Sequence, residues 1–236
     1  MSQHDPADPG VFLRLLQRSP VFDAGGEELL RQLVAGASPI PYPPGTFLFR
    51  QGEPAAHVFV LSAGEVAIVS PARGGAEQVH SIVGPGELFG ELALLTNGRR
   101  TAGARATSPA TAWAIGREAF WAFLEAAPPA SSALLRLVAR RLAAREALID
   151  DLLSLDVKGR LAKALLQLAE RHGRPDRASG AIVIAVRLTH RDLAGMVGAS
   201  RENVTRALAG FRKRGLVDYD ADAIRLLDPA ALRRLT

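Results

Sequence analysis

The chain has 236 residues, 48% of them hydrophobic and 22% charged, the composition of a globular protein of one or two domains. It contains no cysteine, which excludes a disulfide framework, a thiolate zinc site and a cysteine-ligated iron–sulfur cluster. No apolar run approaches the roughly 20 residues of a membrane span, and no basic-then-apolar leader opens the chain, so the expectation is a cytoplasmic protein with no membrane partner.

The net charge of +5 is unevenly spread: residues 157–236 carry 16 Lys and Arg against 8 Asp and Glu, while residues 1–156 carry 13 against 16. A basic terminal third is what a polyanionic partner requires.

In chain order, residues 1–10 are polar and proline-bearing and read as a frayed tail. Residues 11–17 and 27–35 have helical periodicity with a loop between them. From Ser38 the pattern changes to short β-like runs punctuated by Gly and Pro: FLFRQG, HVFVLSAG, EVAIVSPARGG, QVHSIVGPG and ARATSPATAWAIG. That rhythm predicts a small antiparallel barrel or sandwich rather than a parallel α/β sheet.

Within it, GPGELFGELALLTNGRRTAGARA (84–106) has the elements of an anion cradle. A short helical turn after Gly90-Glu91 supplies free N–H groups, Arg99 and Arg100 offer guanidinium forks, and Thr101 a hydroxyl. A carboxylate there repels phosphate, so Glu91 suits a sugar hydroxyl; a plain surface loop has the same local chemistry.

Residues 129–155 predict a long helix. Leu135, Val138, Leu142, Ile149 and Leu152 recur at three- and four-residue steps, a seam for pairing with a second copy, interrupted by Arg145. DVKG (156–159) reads as a break at Gly159, followed by a helix from Arg160 to Gly173. Residues 174–180 read as a loop, 181–188 as a β-like run, 216–228 as a hairpin around the acidic turn 220–222, and 229–235 as a terminal helix.

Residues 189–215 read as two short helices joined by a tight turn. Thr189 with Asp192 forms a capping box, Gly198 turns, and Ser200 caps a second helix whose apolar stripe is Val204, Leu208 and Phe211. Its first two turns expose Arg201, Glu202, Asn203, Thr205 and Arg206, side chains that reach base edges in a major groove. Ser200, Arg212, Lys213 and Arg214 suit phosphate, Arg191 suits either role, and Thr189 opens the interface.

The order of barrel with F-G-E-L-A and R-T-A, long helix, and winged helix-turn-helix with S-R-E-x-V-x-R resembles the cyclic-AMP receptor protein (CRP/FNR) family of transcription regulators, over residues 12–235. The resemblance implies an α+β fold: an N-terminal cyclic-nucleotide-binding β-barrel of jelly-roll type (11–128), a dimerisation helix (129–156) and a C-terminal winged helix-turn-helix (157–236).

By the same resemblance Glu91 holds the ribose 2′-hydroxyl of a cyclic nucleotide, cyclic AMP foremost. Gly90 gives backbone contact with Leu92 next in the motif, and Arg100 with Thr101 holds the cyclic phosphate, with Arg99 a second candidate. Relatives place small hydroxyl residues in mid-helix against adenine; here those positions are Arg145 and Glu146, a charged pair that could contact a base, bridge the dimer or close the pocket.

The implied protein is a homodimer on double-stranded DNA that recruits or blocks RNA polymerase. Its Arg-Glu…Arg set reads a TGTGA-N6-TCACA-like palindrome with half-site centres roughly 34 Å apart. The same fold without a ligand, or with another effector, is the alternative. A haem sensor through His80 and a metal-dependent barrel enzyme are weaker rivals; the five scattered histidines offer no ligand set, so no metal, haem or catalytic residue is expected.

Overall fold

The structure, a computed structural model, describes residues 5–71, 77–176, 179–186, 188–220 and 223–236. Two helices, α1 (Pro9–Leu16) and α2 (Gly26–Ala35), open the chain. Strands β1 (Ser38–Tyr42), β2 (Phe47–Phe49), β3 (His57–Ala63), β4 (Val66–Pro71), β5 (Glu77–Val83), β6 (Leu88–Phe89), β7 (Gly103–Ala106) and β8 (Ala110–Gly116) follow, with the one-turn helix α3 (Leu92–Leu95) between β6 and β7. Next come α4 (Arg117–Ala126) and the 27-residue α5 (Pro128–Ser154). The remainder is α6 (Val157–His172), β9 (Gly173–Pro175), β10 (Ile182–Ile184), α7 (His190–Val197), α8 (Arg201–Lys213), β11 (Val217–Tyr219), β12 (Ile224–Leu226) and α9 (Pro229–Arg233).

Two compact units result, one of residues 1–69 with 82–144, the other of residues 70–81 with 145–236. In the first, strands order as β1-β8-β3-β6 and β2-β7-β4, with antiparallel partners throughout the defined registers. The two-residue period of a strand explains its two cores. Phe59 and Leu61 of β3 point between the sheets with Phe49, Phe89, Ala104 and Ala112. Val58 and Val60 point the other way, with Trp113 and Ile115, against Phe12, Phe22, Phe120 and Leu134 of the helices. Phe12 stacks on Trp113 at 4.2 Å, and the indole Nε1 donates to Pro6 O at 3.0 Å.

Several sequence expectations need correction. Part of the tail is ordered structure, since Asp8 caps α1 by accepting from Val11 N and Pro6 binds Trp113; residues 1–4 lie outside the described residues. SPIPY is a strand despite two prolines, because β1 is an edge. Pro39 and Pro41, two apart, put their missing N–H groups on the same side of the strand, which an edge tolerates. The run 104–116 is two strands, β7 and β8, on different sheets.

In the second unit, β9 occupies the start of the expected loop, pairing Gly173–Pro175 with β10; residues 177–178 lie outside the described residues. Gly159 does not break the chain. Helix α6 begins at Val157, capped by Asp156, whose Oδ1 accepts from Gly159 N at 2.8 Å. The glycine is there for space, since a Cβ would stand 2.8 Å from Leu235 O. The hairpin β11/β12 joins β10 in one sheet, order β11-β12-β10-β9, while residues 221–222 of its expected turn lie outside the described residues. Arg160 ties α6 to α7, its Nε donating to Val197 O at 2.8 Å and its Nη1 to Leu155 O at 2.7 Å.

Candidate ligand site and nucleic-acid interface

The loop from β6 through α3 to β7 carries the first site. Gly90 stands at φ +78°, in the left-handed region, and a Cβ there would meet Arg100 Nη1 at 2.6 Å and the Phe49 ring at 3.4 Å. That bare backbone lets Arg100 fold inward, Nη1 donating to Gly90 O at 2.9 Å and Nη2 to His57 O at 2.8 Å. The guanidinium lies over Phe49 at 4.0 Å and Phe59 at 5.4 Å, within a stack of Phe49, Phe59 and Phe89 rings.

Arg100 is 5% exposed and Glu91 1% exposed. Burial pushes the Arg100 pKa down to about 10, against the pull of Glu53 and Glu91, so at neutral pH the group is still a cation. Arg100 Nε and Glu91 Oε2 are buried without a hydrogen-bond partner. A buried donor on a cation and a buried acceptor on a carboxylate are costly unless something completes them.

Of the two neighbouring arginines, the fold separates the roles. Arg99 is exposed and turns to Gly52 O at 2.9 Å, so it does not join Arg100 in the pocket. Thr101 is exposed at the mouth of the loop, and Leu92 is half-buried in α3.

The residue that sequence reading missed is Arg141 of α5. Its Nη1 donates to Glu91 Oε1 at 2.5 Å and its Nη2 to Leu88 O at 2.6 Å. Arg145 and Glu146 lie about one turn further along the helix and are exposed. His80 shares a hydrogen bond between Nε2 and Ser70 Oγ at 2.5 Å.

The second site is the α7–α8 pair. Thr189 Oγ1 accepts from Asp192 N at 3.1 Å and donates to Asp192 Oδ2 at 2.7 Å, while Asp192 Oδ2 accepts from Thr189 N at 2.9 Å. This reciprocal box starts α7, and Gly198 ends it in the left-handed cap of the turn. Ser200 Oγ then accepts from Asn203 N at 3.2 Å, and Val204, Ala207, Leu208 and Phe211 bury the inner face of α8.

The outer face presents Arg201, Glu202, Thr205 and Arg206, with Arg191 exposed on α7 and Lys213 in the last turn of α8. The Glu202 carboxyl is held below its usual range, first by its own backbone N–H and then by the Ser200 hydroxyl, so it remains an anionic acceptor. Arg206 donates to Asn203 Oδ1, and the Thr205 hydroxyl donates to Arg201 O at 2.9 Å and meets His190 Nδ1 at 2.9 Å. Arg212 leans to the wing, on Asp218 at 2.8 Å and over Tyr219 at 5.2 Å.

These geometries coincide with two family models, the cyclic nucleotide-binding domain over residues 39–127 and the Crp-like helix-turn-helix domain over 159–235. The chain is 34% identical over 220 residues to a CRP-like cAMP-activated global transcriptional regulator of Mycobacterium tuberculosis, covering 93% of this chain and 97% of the relative. The chain belongs to the CRP/FNR family of transcription regulators. The Cyclic AMP receptor protein of Thermus thermophilus is a further relative in the family, 33% identical over 196 residues, with 82% of this chain and 86% of that one covered. The solved structure of the c-di-GMP responsive global regulator CLP of Xanthomonas campestris shares the fold, with TM-score 0.72 and 24% identity over 85% of this chain and 99% of that one.

As a CRP/FNR protein this chain is a DNA-binding regulator and not an enzyme. Among the described residues no helix is long and apolar enough to cross a membrane, and no three His, Asp or Glu side chains are grouped to hold a metal.

Proposed function

We propose that this regulator is a cytoplasmic homodimer controlled by a cyclic nucleotide, cyclic AMP foremost, bound at Glu91, Arg100 and Thr101. The observation that carries the reading is the pair of unpartnered buried atoms, Glu91 Oε2 and Arg100 Nε, on one loop. A bound cyclic nucleotide supplies a sugar hydroxyl to donate and a phosphate anion to accept. Arg100 fixes the anion with a guanidinium already desolvated against Phe49. Glu91, anchored by Arg141, accepts from the hydroxyl, and Thr101 adds a donor at the rim. Cyclic AMP is supported by two relatives, the cAMP-activated regulator of Mycobacterium tuberculosis and the Cyclic AMP receptor protein of Thermus thermophilus. Control follows if the ligand has higher affinity for one state of the dimer than for the other.

On DNA, Arg201 and Arg206 suit guanine O6/N7 and Glu202 suits cytosine N4 within a TGTGA-N6-TCACA-like palindrome. Arg191, Asn203 and Thr205 extend that face, Thr189, Ser200 and Lys213 hold its edges and phosphates, and the promoter-bound dimer acts on RNA polymerase. A second reading, the same regulator with another effector or none, is favoured by the charged Arg145 and Glu146 on α5.

The deciding experiment is fluorescence anisotropy of a labelled TGTGA-N6-TCACA duplex, with and without saturating cyclic AMP, at one stated salt concentration. Tight binding only with nucleotide is the expected result; equal tight binding in both conditions favours the second reading. In the same assay Arg206→Ala costs about 1–3 kcal/mol and relaxes choice at one base pair, whereas Lys213→Ala weakens all sequences alike. Indifference of the native protein to half-site changes overturns the base-reading assignment.

A further inference from the structure

The exposed side of α5 has a heptad phase. Leu135, Leu142 and Ile149 fall seven residues apart and are 71%, 59% and 59% exposed, and Val138, Arg145 and Leu152 fill the intervening d positions. Ala130, Ala133 and Leu134, on the other side of the helix, are buried in the first unit's core. Large apolar side chains at this period are the pattern of a two-stranded coiled coil. Setting Leu135, Leu142 and Ile149 at a places Arg141 at g and Glu146 at e. In a parallel, in-register pair, a g residue faces the e residue five positions on in the other helix, and opposite charges there form interhelical bridges.

We propose that Glu146 of the partner subunit binds Arg141, completing an ion triad Glu91–Arg141–Glu146 across the dimer. The inference rests on the homodimer proposed above. Arg141 has the capacity: a guanidinium has five N–H donors, and here Nη1 serves Glu91 and Nη2 serves Leu88 O. Its side chain is 33% exposed, so one edge is open to a carboxylate approaching from the seam. Glu146 is itself exposed, and no apolar packing fixes it elsewhere.

The same placement accounts for Arg145. At a d position the two copies of this arginine face each other across the axis, and the partner's Glu146 flanks them, offsetting like charges in a seam that is otherwise Leu, Val and Ile. Arg145 and Glu146 thereby act as a register device, opposing any slip that takes Glu146 away from Arg141.

The functional consequence lies at Glu91. The carboxylate whose Oε2 is unpartnered in the ligand site is held through Oε1 by an arginine that the second subunit fixes from outside. Dimer formation therefore preorganises Glu91, and a ligand that binds Glu91 strengthens the seam by the same factor, as linkage requires.

The 236-residue chain has no cysteine, which allows a clean test. Leu142→Cys places a lone thiol at an a position, and its oxidation to a covalent dimer reports a parallel, in-register seam independently of any charge. Dimer Kd is then measured by sedimentation equilibrium for wild type, Glu146→Gln, Arg141→Lys and the double variant, with circular dichroism melts verifying the fold. Each single change is expected to raise Kd roughly three- to tenfold at low salt, two partly exposed pairs being lost per dimer. The double variant is expected to be little worse than either single change.

Cyclic AMP titrated calorimetrically as the probe should bind Glu146→Gln more weakly than wild type, although residue 146 lies outside the Glu91–Arg100 loop. Additive Kd effects, or a Glu146→Gln dimer as tight as wild type, overturn the triad while the Leu142→Cys cross-link still upholds the homodimer. Absence of the cross-link overturns the homodimer and the triad with it. Failure of wild type to bind cyclic AMP sinks that ligand alone, and the Kd cycle still decides the triad.

Discussion

Gly90 joins backbone strain to ligand chemistry in one residue. Its φ of +78° is costly for any side chain, of order 1–3 kcal/mol, and its missing Cβ is the space that Arg100 Nη1 uses. Gly90→Ala should therefore lower the stability of the first unit by about that amount and swing Arg100 off Gly90 O, with cyclic AMP affinity falling more than tenfold. A thermal melt and a calorimetric titration read the two effects, and wild-type values in both would refute the assignment. The separation of Arg99 from Arg100 belongs to the same scale. Adjacent residues on an extended segment point to opposite sides, so one reaches Gly52 O and the other the interior. Sequence named both arginines, Arg100 first by resemblance and Arg99 second, and the fold turns only Arg100 inward. Arg141 was less legible still. It lies 50 residues from Glu91 and is one of four arginines on α5, at 136, 140, 141 and 145, so only the phase of the folded helix singles it out.

At the scale of elements, what could be read was what local chemistry decides. The capping box at Thr189, the glycine turn and the serine cap of α8 each rest on residues three or four apart, and all three stand where the pattern placed them. Strand β1 was missed because its prolines are acceptable only at an edge, and edge position is a property of the assembled sheet. The Gly159 break was misread for a similar reason: the glycine answers to Leu235 O, 76 residues away in the chain. The cap at Thr189 also carries a prediction. Thr189→Ala removes a hydroxyl that both accepts and donates to Asp192, a residue only 5% exposed. The helix-turn-helix unit should lose about 1 kcal/mol, seen as a lower urea midpoint, and Thr189→Ser should recover most of it. Equal midpoints for alanine and wild type would show that the box contributes nothing.

At the scale of the whole molecule, the charge division between residues 1–156 and 157–236 was legible from composition alone and agrees with a DNA-binding terminal domain. The response to acid needs the fold. His80 has a lowered pKa, chiefly through burial and secondarily through the Arg145 cation; His172 is lowered by burial and then by Arg171. Both therefore bind fewer protons in the folded chain than in the unfolded one near pH 6.5, where an unfolded histidine takes up a proton. Wherever the unfolded state binds more protons, stability rises with pH. The contribution of these two groups is thus complete above the unfolded value near 6.5 and is lost as pH falls from there toward their lower folded values. The melting temperature should hold level between about pH 7 and 8.5 and decline below about 6.5. The decline should be shallower in His80→Gln and His172→Gln, and shallowest in the double variant. A double variant that loses stability just below pH 6.5 as steeply as wild type would refute the assignment, because carboxylates such as Glu202, whose pKa is lowered, lose their contribution only at still lower pH.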